Sequence, residues 1–309
     1  MKSSLLIRHG SLGDIIVTVP VVQTLMADGF QVTLAVREVW GKLLISLGCG
    51  FEVLPLDSQL FLPLYTEVTD RDGSIRQVLS SFSLILSYTD RQELFSRRLK
   101  QLAPVEPIFH QVDTCRLKAH ITDYLLEPVT GITRSIKLQP ALPLPADTQQ
   151  YLLLHPGSGH PRKNWPEENF LLLAEELRPE IPVQILLGPA EETSLSFWEK
   201  GGWKEKVILS STPEKLMEAL KAARLFLGND SGVTHLAAAT GLPTLAIFGP
   251  TDPAVWAPRG KKVCLLYKKT RCSPCLPATR ISHCRQECLR QISVADVVSA
   301  VRTLWTKLA

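Results

Sequence analysis

The chain has 309 residues, with 45% hydrophobic and 21% charged, which is the balance of a folded globular protein with room for two domains. Lysine plus arginine number 34 against 30 acidic residues, a formal net charge of +4; that is too mild for a nucleic-acid-binding face but compatible with an anionic substrate or a brief stay at an anionic membrane. No apolar run approaches the roughly 20 residues of a bilayer-spanning helix, and MKSSLLIRHG, cut short by Arg8 and Asp14 with no small-residue cleavage site after it, does not read as a signal peptide. The expectation is a cytoplasmic protein.

The N-terminal third predicts strand, turn, helix, strand. SSLLIRH is a short apolar run, HGSLGD a glycine-bearing turn, and DIIVTVPVVQTLMADG has helical spacing with a stop at Gly29. FQVTLAVR is the next strand, so the segment forms a right-handed βαβ unit in a parallel sheet. FSLILSY, residues 82–88, adds another strand. The stretch IKLQPALPLPADT carries three prolines without helical or alternating period and reads as a linker. The domain boundary is placed there, giving domains 1–145 and 146–293.

The second half restarts the pattern. YLLLHPG is a strand and PEENFLLLAEELR a helix. VQILLGP is a strand, and TPEKLMEALKAAR is a helix with a Thr-Pro start. ARLFLGND is a strand, SGVTHLAAATG a helix ended by Gly241, and PTLAIFGP a strand. The fold class is therefore α/β with two Rossmann-like halves, whose ligands bind at the carboxyl ends of the strands.

Four loops carry candidate chemistry. NDSG joins a strand to a helix, so Asn229 to Gly232 lie where free N–H groups and the helix dipole favour phosphate. Gly232 permits close approach, Ser231 adds a hydroxyl, and His235 is one turn further on the same side. The plain alternative is that Asp230 or Ser231 merely caps the helix. In HPGSGHPRKNW, Gly157, Ser158 and Gly159 can wrap an oxyanion and Lys163 can charge-pair a diphosphate; a solvated surface lysine is the alternative. In HGSLGD, Gly10 and Gly13 tighten the turn, and Asp14 is either a general base or a helix-start carboxylate facing the dipole. Glu191, just past a strand, can accept from ribose hydroxyls or be an exposed helix-start glutamate.

Of the 7 cysteines, Cys272, Cys275, Cys284 and Cys288 stand at C-x2-C-x8-C-x3-C with His283 among them. A structural zinc is one reading; reduced thiols packing a loop is the other.

Taken together, LIRHGSLGDIIVTVP, HPGSGHPRKNWPEENF and FLGNDSGVTHLAAATGLPTLAIFGPTDP resemble the bacterial heptosyltransferases of lipopolysaccharide assembly, glycosyltransferase family 9. The resemblance implies a GT-B fold of two Rossmann-like domains facing a central cleft, with the C-terminal helix, about 294–309, packing back on the first domain. It implies inverting transfer of heptose from ADP-heptose to a lipid-anchored inner-core oligosaccharide, without cofactor, metal or nucleic acid and with transient contact at the cytoplasmic face of the inner membrane. By the same resemblance Asp14 is the base and Lys163 assists catalysis. Gly13, Ser158, Gly159, Lys163 and Glu191 hold the donor with Asp230, Ser231, Gly232 and His235, and the middle of the N-terminal domain selects the acceptor. Two rivals stand beside this reading. One is a relative using another nucleotide sugar; the other is a non-catalytic nucleotide-binding protein. A Rossmann oxidoreductase is disfavoured, since HGSLGD lacks G-x-G-x-x-G.

Overall fold

The computed structural model describes residues 2–67, 73–113, 117–144, 150–275 and 284–308. The chain divides into two compact units, Met1–Pro140 and Ala141–Ala309, and the division falls inside the proline-bearing stretch.

The first unit is a parallel sheet of five strands: β1 (Lys2–Ile7), β2 (Phe30–Val36), β3 (Glu52–Pro55), β4 (Leu84–Ser87) and β5 (Ile108–Phe109). Their order is β3-β2-β1-β4-β5. Leu5, Leu6 and Ile7 are fully buried, as both faces of a parallel sheet are covered. The helix Leu12–Ala27 follows β1, starting earlier than its hydrophobic spacing predicts. It is apolar on nearly every side and buried from Ile15 through Val22, packing against β2 and the helix Ile121–Leu126. Gly29, at φ +85°, receives the chain after the helix, a left-handed conformation that favours glycine.

The second unit is a six-stranded parallel sheet: β6 (Tyr151–His155), β7 (Val183–Leu187), β8 (Val207–Leu209), β9 (Ala223–Asn229), β10 (Thr244–Phe248) and β11 (Val263–Tyr267). Their order is β11-β10-β9-β6-β7-β8. Thr212 caps the helix Pro213–Ala222, its hydroxyl accepting from Lys215 N–H. Trp165, Phe170 and Trp198 are fully buried in the core formed with β6, β7 and β9.

The C-terminal helix, Val294–Lys307, is part of the second unit. Its buried stripe of Val297, Val298 and Val301 belongs to the second unit's core, against the helix Glu167–Leu177. The Arg302 guanidinium forks onto Glu180 at 2.9 and 3.1 Å, fixing the same docking from the polar side. Among the described residues, no helix is long and apolar enough to cross a membrane.

Candidate active site

In the second unit the strand order reverses between β6 and β9, so the loops leaving these neighbours diverge and open a crevice at their carboxyl ends. Both loops were expected to bind the donor. Asn229, at the end of β9, is fully buried and braces them: its Nδ2 donates to Pro156 O at 2.6 Å, and its Oδ1 accepts from Trp165 N–H at 2.9 Å. The next residue, Asp230, faces the β6 loop. Its Oδ2 lies 2.8 Å from Lys163 Nζ and accepts from Thr251 Oγ at 2.7 Å, while Oδ1 is 3.9 Å from His235 Nε2. Asp230 is 4% exposed, and a carboxylate so desolvated is tolerable only with such partners. Lys163 is therefore not a freely solvated lysine: Asp230 aims its ammonium.

Ser231 caps the helix Gly232–Ala239, its Oγ accepting from Thr234 N–H at 3.2 Å. Ser231 is thus the cap of that helix. Gly232 is the first residue of that helix, and no side chain of its own obstructs the N-terminus there.

The β6 loop is shaped by two groups. Glu191, in the short 3-10 turn after β7, accepts from Gly188 N–H through Oε2 at 2.9 Å, and its carboxyl lies over Gly157, where a β-carbon would collide with it. Gly157 donates its N–H to Nδ1 of the buried His155 at 3.1 Å, and burial holds that imidazole below its usual pKa, with Glu191 opposing. Ser158 turns its hydroxyl inward, onto Asn164 Oδ1 at 2.5 Å. Gly159 is exposed with open space around it. The second unit therefore gathers Lys163, Asp230 and His235 into one constellation and sets Glu191 against Gly157, while Ser158 braces its own loop.

Asp14 and Gly13 lie in the first unit, in the opening turn of the helix after β1. Asp14 Oδ1 pairs with Arg8 at 3.0 Å, and Oδ2 accepts from both the N–H and the hydroxyl of Ser11, at 2.9 and 2.8 Å. This is a capping box, and Asp14 remains about a third exposed. Gly10, at φ +127°, passes so close that a β-carbon would lie 2.5 Å from Asp14 Oδ2. Arg8 is buried, and desolvation lowers its pKa against the opposing pull of Asp14. Its guanidinium also lies 5.7 Å from the centre of the Tyr88 ring.

Three residues of these arrangements escape a reading by motif: Arg8, His155 and Thr251. Arg8 and His155 end apolar strands, where a charged or polar side chain inside a buried run is itself a signal. Thr251 acquires meaning only once β10 stands beside β9.

Cys272 is exposed, Cys275 and Cys284 are half-buried, and Cys288 is buried in the second unit's core, its thiol pushed up to about 11 mainly by desolvation. Among the described residues, no group of three or more histidine, cysteine or acidic side chains is arranged to hold a metal ion. His283 lies outside the described residues.

Comparison with known proteins places these loops in a family. Lipopolysaccharide heptosyltransferase 1 of Pseudomonas aeruginosa is 31% identical over 192 residues, which is 61% of this chain and 54% of that protein. Lipopolysaccharide heptosyltransferase 2 of Salmonella typhimurium is 28% identical over 110 residues, 33% and 31% of the two chains. The chain thus aligns with about half, or less, of the length of these curated relatives. Among solved structures, a glycosyl transferase family 9 protein from Veillonella parvula superposes with TM-score 0.76 at 18% identity, covering 99% of this chain and 97% of that one. The E. coli heptosyltransferase WaaC with ADP superposes with TM-score 0.67 at 19% identity, covering 99% and 100%. At these identities the superpositions establish a shared GT-B architecture. The model of glycosyltransferase family 9 (heptosyltransferase) matches residues 86–285, a span that takes in the β6 loop, Glu191 and the whole Asp230–Thr251 constellation, and the chain belongs to that family.

Proposed function

We propose that this protein is an inverting glycosyltransferase that moves a heptose from ADP-heptose to the inner core of lipopolysaccharide. The observation that carries the proposal is the Lys163–Asp230 pair at the reversal of strand order in a family 9 chain. Loss of a nucleoside diphosphate builds negative charge on the leaving oxygen. A cation aimed by a buried carboxylate, next to a helix N-terminus, is fixed in advance to receive it. Gly159 offers its backbone N–H on the same loop, and Glu191, whose carboxyl lies over Gly157, is assigned to the ribose. His235, with Nε2 3.9 Å from Asp230 Oδ1, is assigned to the donor sugar.

The acceptor hydroxyl must lose a proton as it attacks the anomeric carbon. Asp14 is the assigned base, its rotamer set by Arg8 on one oxygen and Ser11 on the other. The Ser11 hydroxyl is the partner that an incoming sugar hydroxyl would replace. The acceptor oxygen attacks the anomeric carbon from the side opposite the departing diphosphate while Asp14 takes its proton, and this single displacement inverts the anomeric centre. The curated relatives named for lipopolysaccharide heptosyl transfer support the donor and acceptor assignment. Work at an inner-core acceptor would place the protein at the cytoplasmic face of the inner membrane.

The test is ADP release on supplying ADP-heptose with a heptose-deficient core acceptor, beside UDP-sugar controls. Acceptor-dependent ADP release supports the proposal. Turnover with UDP-sugars at equal efficiency, or ADP binding with no turnover on any core acceptor, overturns it in favour of another sugar or a non-catalytic role.

A further inference from the structure

Lys163 and Asp230 leave different strands, so the 2.8 Å between them holds only while their two loops keep their relative position. Asn229 is one brace between those loops. The cysteine-bearing segment supplies a second: one end of it reaches the loop beside Asp230, the other the turn that carries Lys163. We infer that this segment is a clamp on the second unit's crevice, and that Ser273 and Gln286 are positioning residues that set Lys163 against Asp230. Their effect on sugar transfer rests on the reaction proposed above; the clamp itself rests on geometry alone.

The first end holds the Asp230 side. Thr251, whose hydroxyl donates to Asp230, belongs to residues 249–251, the loop leaving β10. Ser273, 4% exposed, donates its hydroxyl to Gly249 O at 2.6 Å and accepts at 3.1 Å from the hydroxyl of Tyr267, the last residue of β11. Cys275 donates its N–H to Pro250 O at 2.7 Å. Two consecutive carbonyls of the loop are satisfied by the segment rather than by the loop itself. Releasing them frees Thr251 to move off Asp230.

The other end holds the Lys163 side. Lys163 closes the 3-10 turn Pro161–Lys163, and Pro161 O accepts from Gln286 Nε2 at 3.2 Å. Among the described residues Gln286 is the one non-glycine residue at positive φ, +53°. That left-handed conformation costs free energy and persists where surrounding contacts impose it. The next residues form the short helix Glu287–Arg290, whose Cys288 and Leu289 are buried in the second unit's core. Leu289 packs so tightly against Gly249 that a β-carbon there would lie 2.5 Å from its Cγ. Gln286 therefore reaches Pro161 from an anchored base, and Leu289 links that base to the loop held by Ser273.

The clamp's hydrogen bonds fall on loop carbonyls near Lys163 and Thr251 and leave the sheet alone, so removing one shifts a loop before it unfolds the unit. An ammonium that must meet a diphosphate depends on that placement, and an error of about 1 Å can cost on the order of 10²-fold in rate. Ser273 and Gln286 are uncharged. Their effect on an anion therefore comes through where they put Lys163 and Asp230, and not through a field of their own.

The experiment measures ADP affinity by calorimetry on the full-length protein: wild type, Ser273→Ala, Gln286→Asn, Lys163→Met, and each clamp variant combined with Lys163→Met. Asparagine tolerates the left-handed conformation but is too short to reach Pro161, so Gln286→Asn removes the bond without straining the chain. Thermal unfolding checks that every variant is folded; should Ser273→Ala not fold, Gln286→Asn decides alone. Each clamp variant should weaken ADP binding about fivefold, within the range of one lost hydrogen bond. In the Lys163→Met background neither should weaken it further, because residues that act through one partner are not additive. Wild-type ADP affinity in Gln286→Asn, or in a folded Ser273→Ala, overturns the clamp. So do losses that multiply with that of Lys163→Met, since these mark a role independent of the pair. A wild type that does not bind ADP overturns the clamp together with the donor site. ADP release from ADP-heptose and a core acceptor is read separately. Coupled losses of affinity without any turnover reject the transfer and leave the clamp; turnover with unaltered kcat/KM in the clamp variants rejects the clamp and leaves the transfer.

Discussion

Lys163 Nζ lies 2.8 Å from Asp230 Oδ2, although the two residues leave different strands and are far apart in the chain. The pair exists because β6 and β9 are neighbours in the sheet, and Asn229 ties the two loops together from below. Lys163→Met should remove the cation and leave Asp230 buried with only Thr251 and His235 nearby. We expect kcat/KM to fall by about 10²–10³, the size seen when one preorganised transition-state donor is lost. Stability should fall by roughly 2–3 kcal/mol, below the usual penalty for an orphaned buried charge because the ammonium is part-exposed. Denaturant unfolding and steady-state kinetics read the two effects; unchanged kcat/KM removes Lys163 from the reaction.

The Asp14 group makes a separable prediction. Asp14→Asn keeps the side chain's shape and can still accept from Ser11, but it loses the charge that partners Arg8. Turnover should drop by about 10²–10⁴, the typical worth of a positioned base. ADP affinity, measured by calorimetry, should stay at the wild-type value, because Asp14 belongs to the first unit and the donor loops to the second. Wild-type turnover in the Asp14→Asn protein would show Asp14 to be a helix-capping carboxylate only.

Two glycines on one loop should answer differently to the same change. Gly157→Ala places a methyl group against the Glu191 carboxyl and must displace it, so donor affinity and stability should both fall, the latter by about 1–3 kcal/mol as for overpacked sites. Gly159→Ala has open space and should alter stability by less than about 0.5 kcal/mol, as for ordinary surface substitutions. Equal melting temperatures for the two variants would contradict the packing of Glu191 over Gly157.

His155 predicts an acid-sensitive second unit. Burial lowers its pKa in the folded chain, so the neutral ring accepts from Gly157 N–H. In the unfolded chain the imidazole titrates near its ordinary value, about 6.5. Below that pH the unfolded state binds a proton that the folded state refuses. The stabilisation is therefore complete above about pH 6.5 and declines as pH falls toward the depressed folded value, by up to about 1.4 kcal/mol per pH unit. His155→Asn should flatten this decline between about pH 6.5 and 5, measured by denaturant midpoints. An identical pH slope in the variant rejects the assignment.

Much of this protein is written in local pattern. Apolar runs of four to seven residues ended by glycine or proline loops mark most of the long strands, and Thr212-Pro213 and Gly241 mark helix ends where the structure has them. The family resemblance also rests on contiguous motifs. The strands β3, β5 and β8 are short and carry little signal of their own, since two to four residues cannot display a period. Their existence is decided by an adjacent strand offering hydrogen bonds.

The sequence by itself determined which loops carry polar chemistry, because a glycine, a lysine or an acid directly after a buried strand has nowhere to go but the sheet's edge. Only the tertiary structure decided what those groups do to one another. Lys163 could have been solvated, and Asp230 could have been a cap; strand order, which no local pattern encodes, brings them within 2.8 Å. The same holds for Arg8, whose burial against Asp14 and Tyr88 depends on β1 lying beside β4. It holds for the C-terminal helix, whose amphipathic stripe is legible while its docking face is not. Long-range pairing is set by the sum of packing over a whole sheet, so its consequences appear only once the chain has folded.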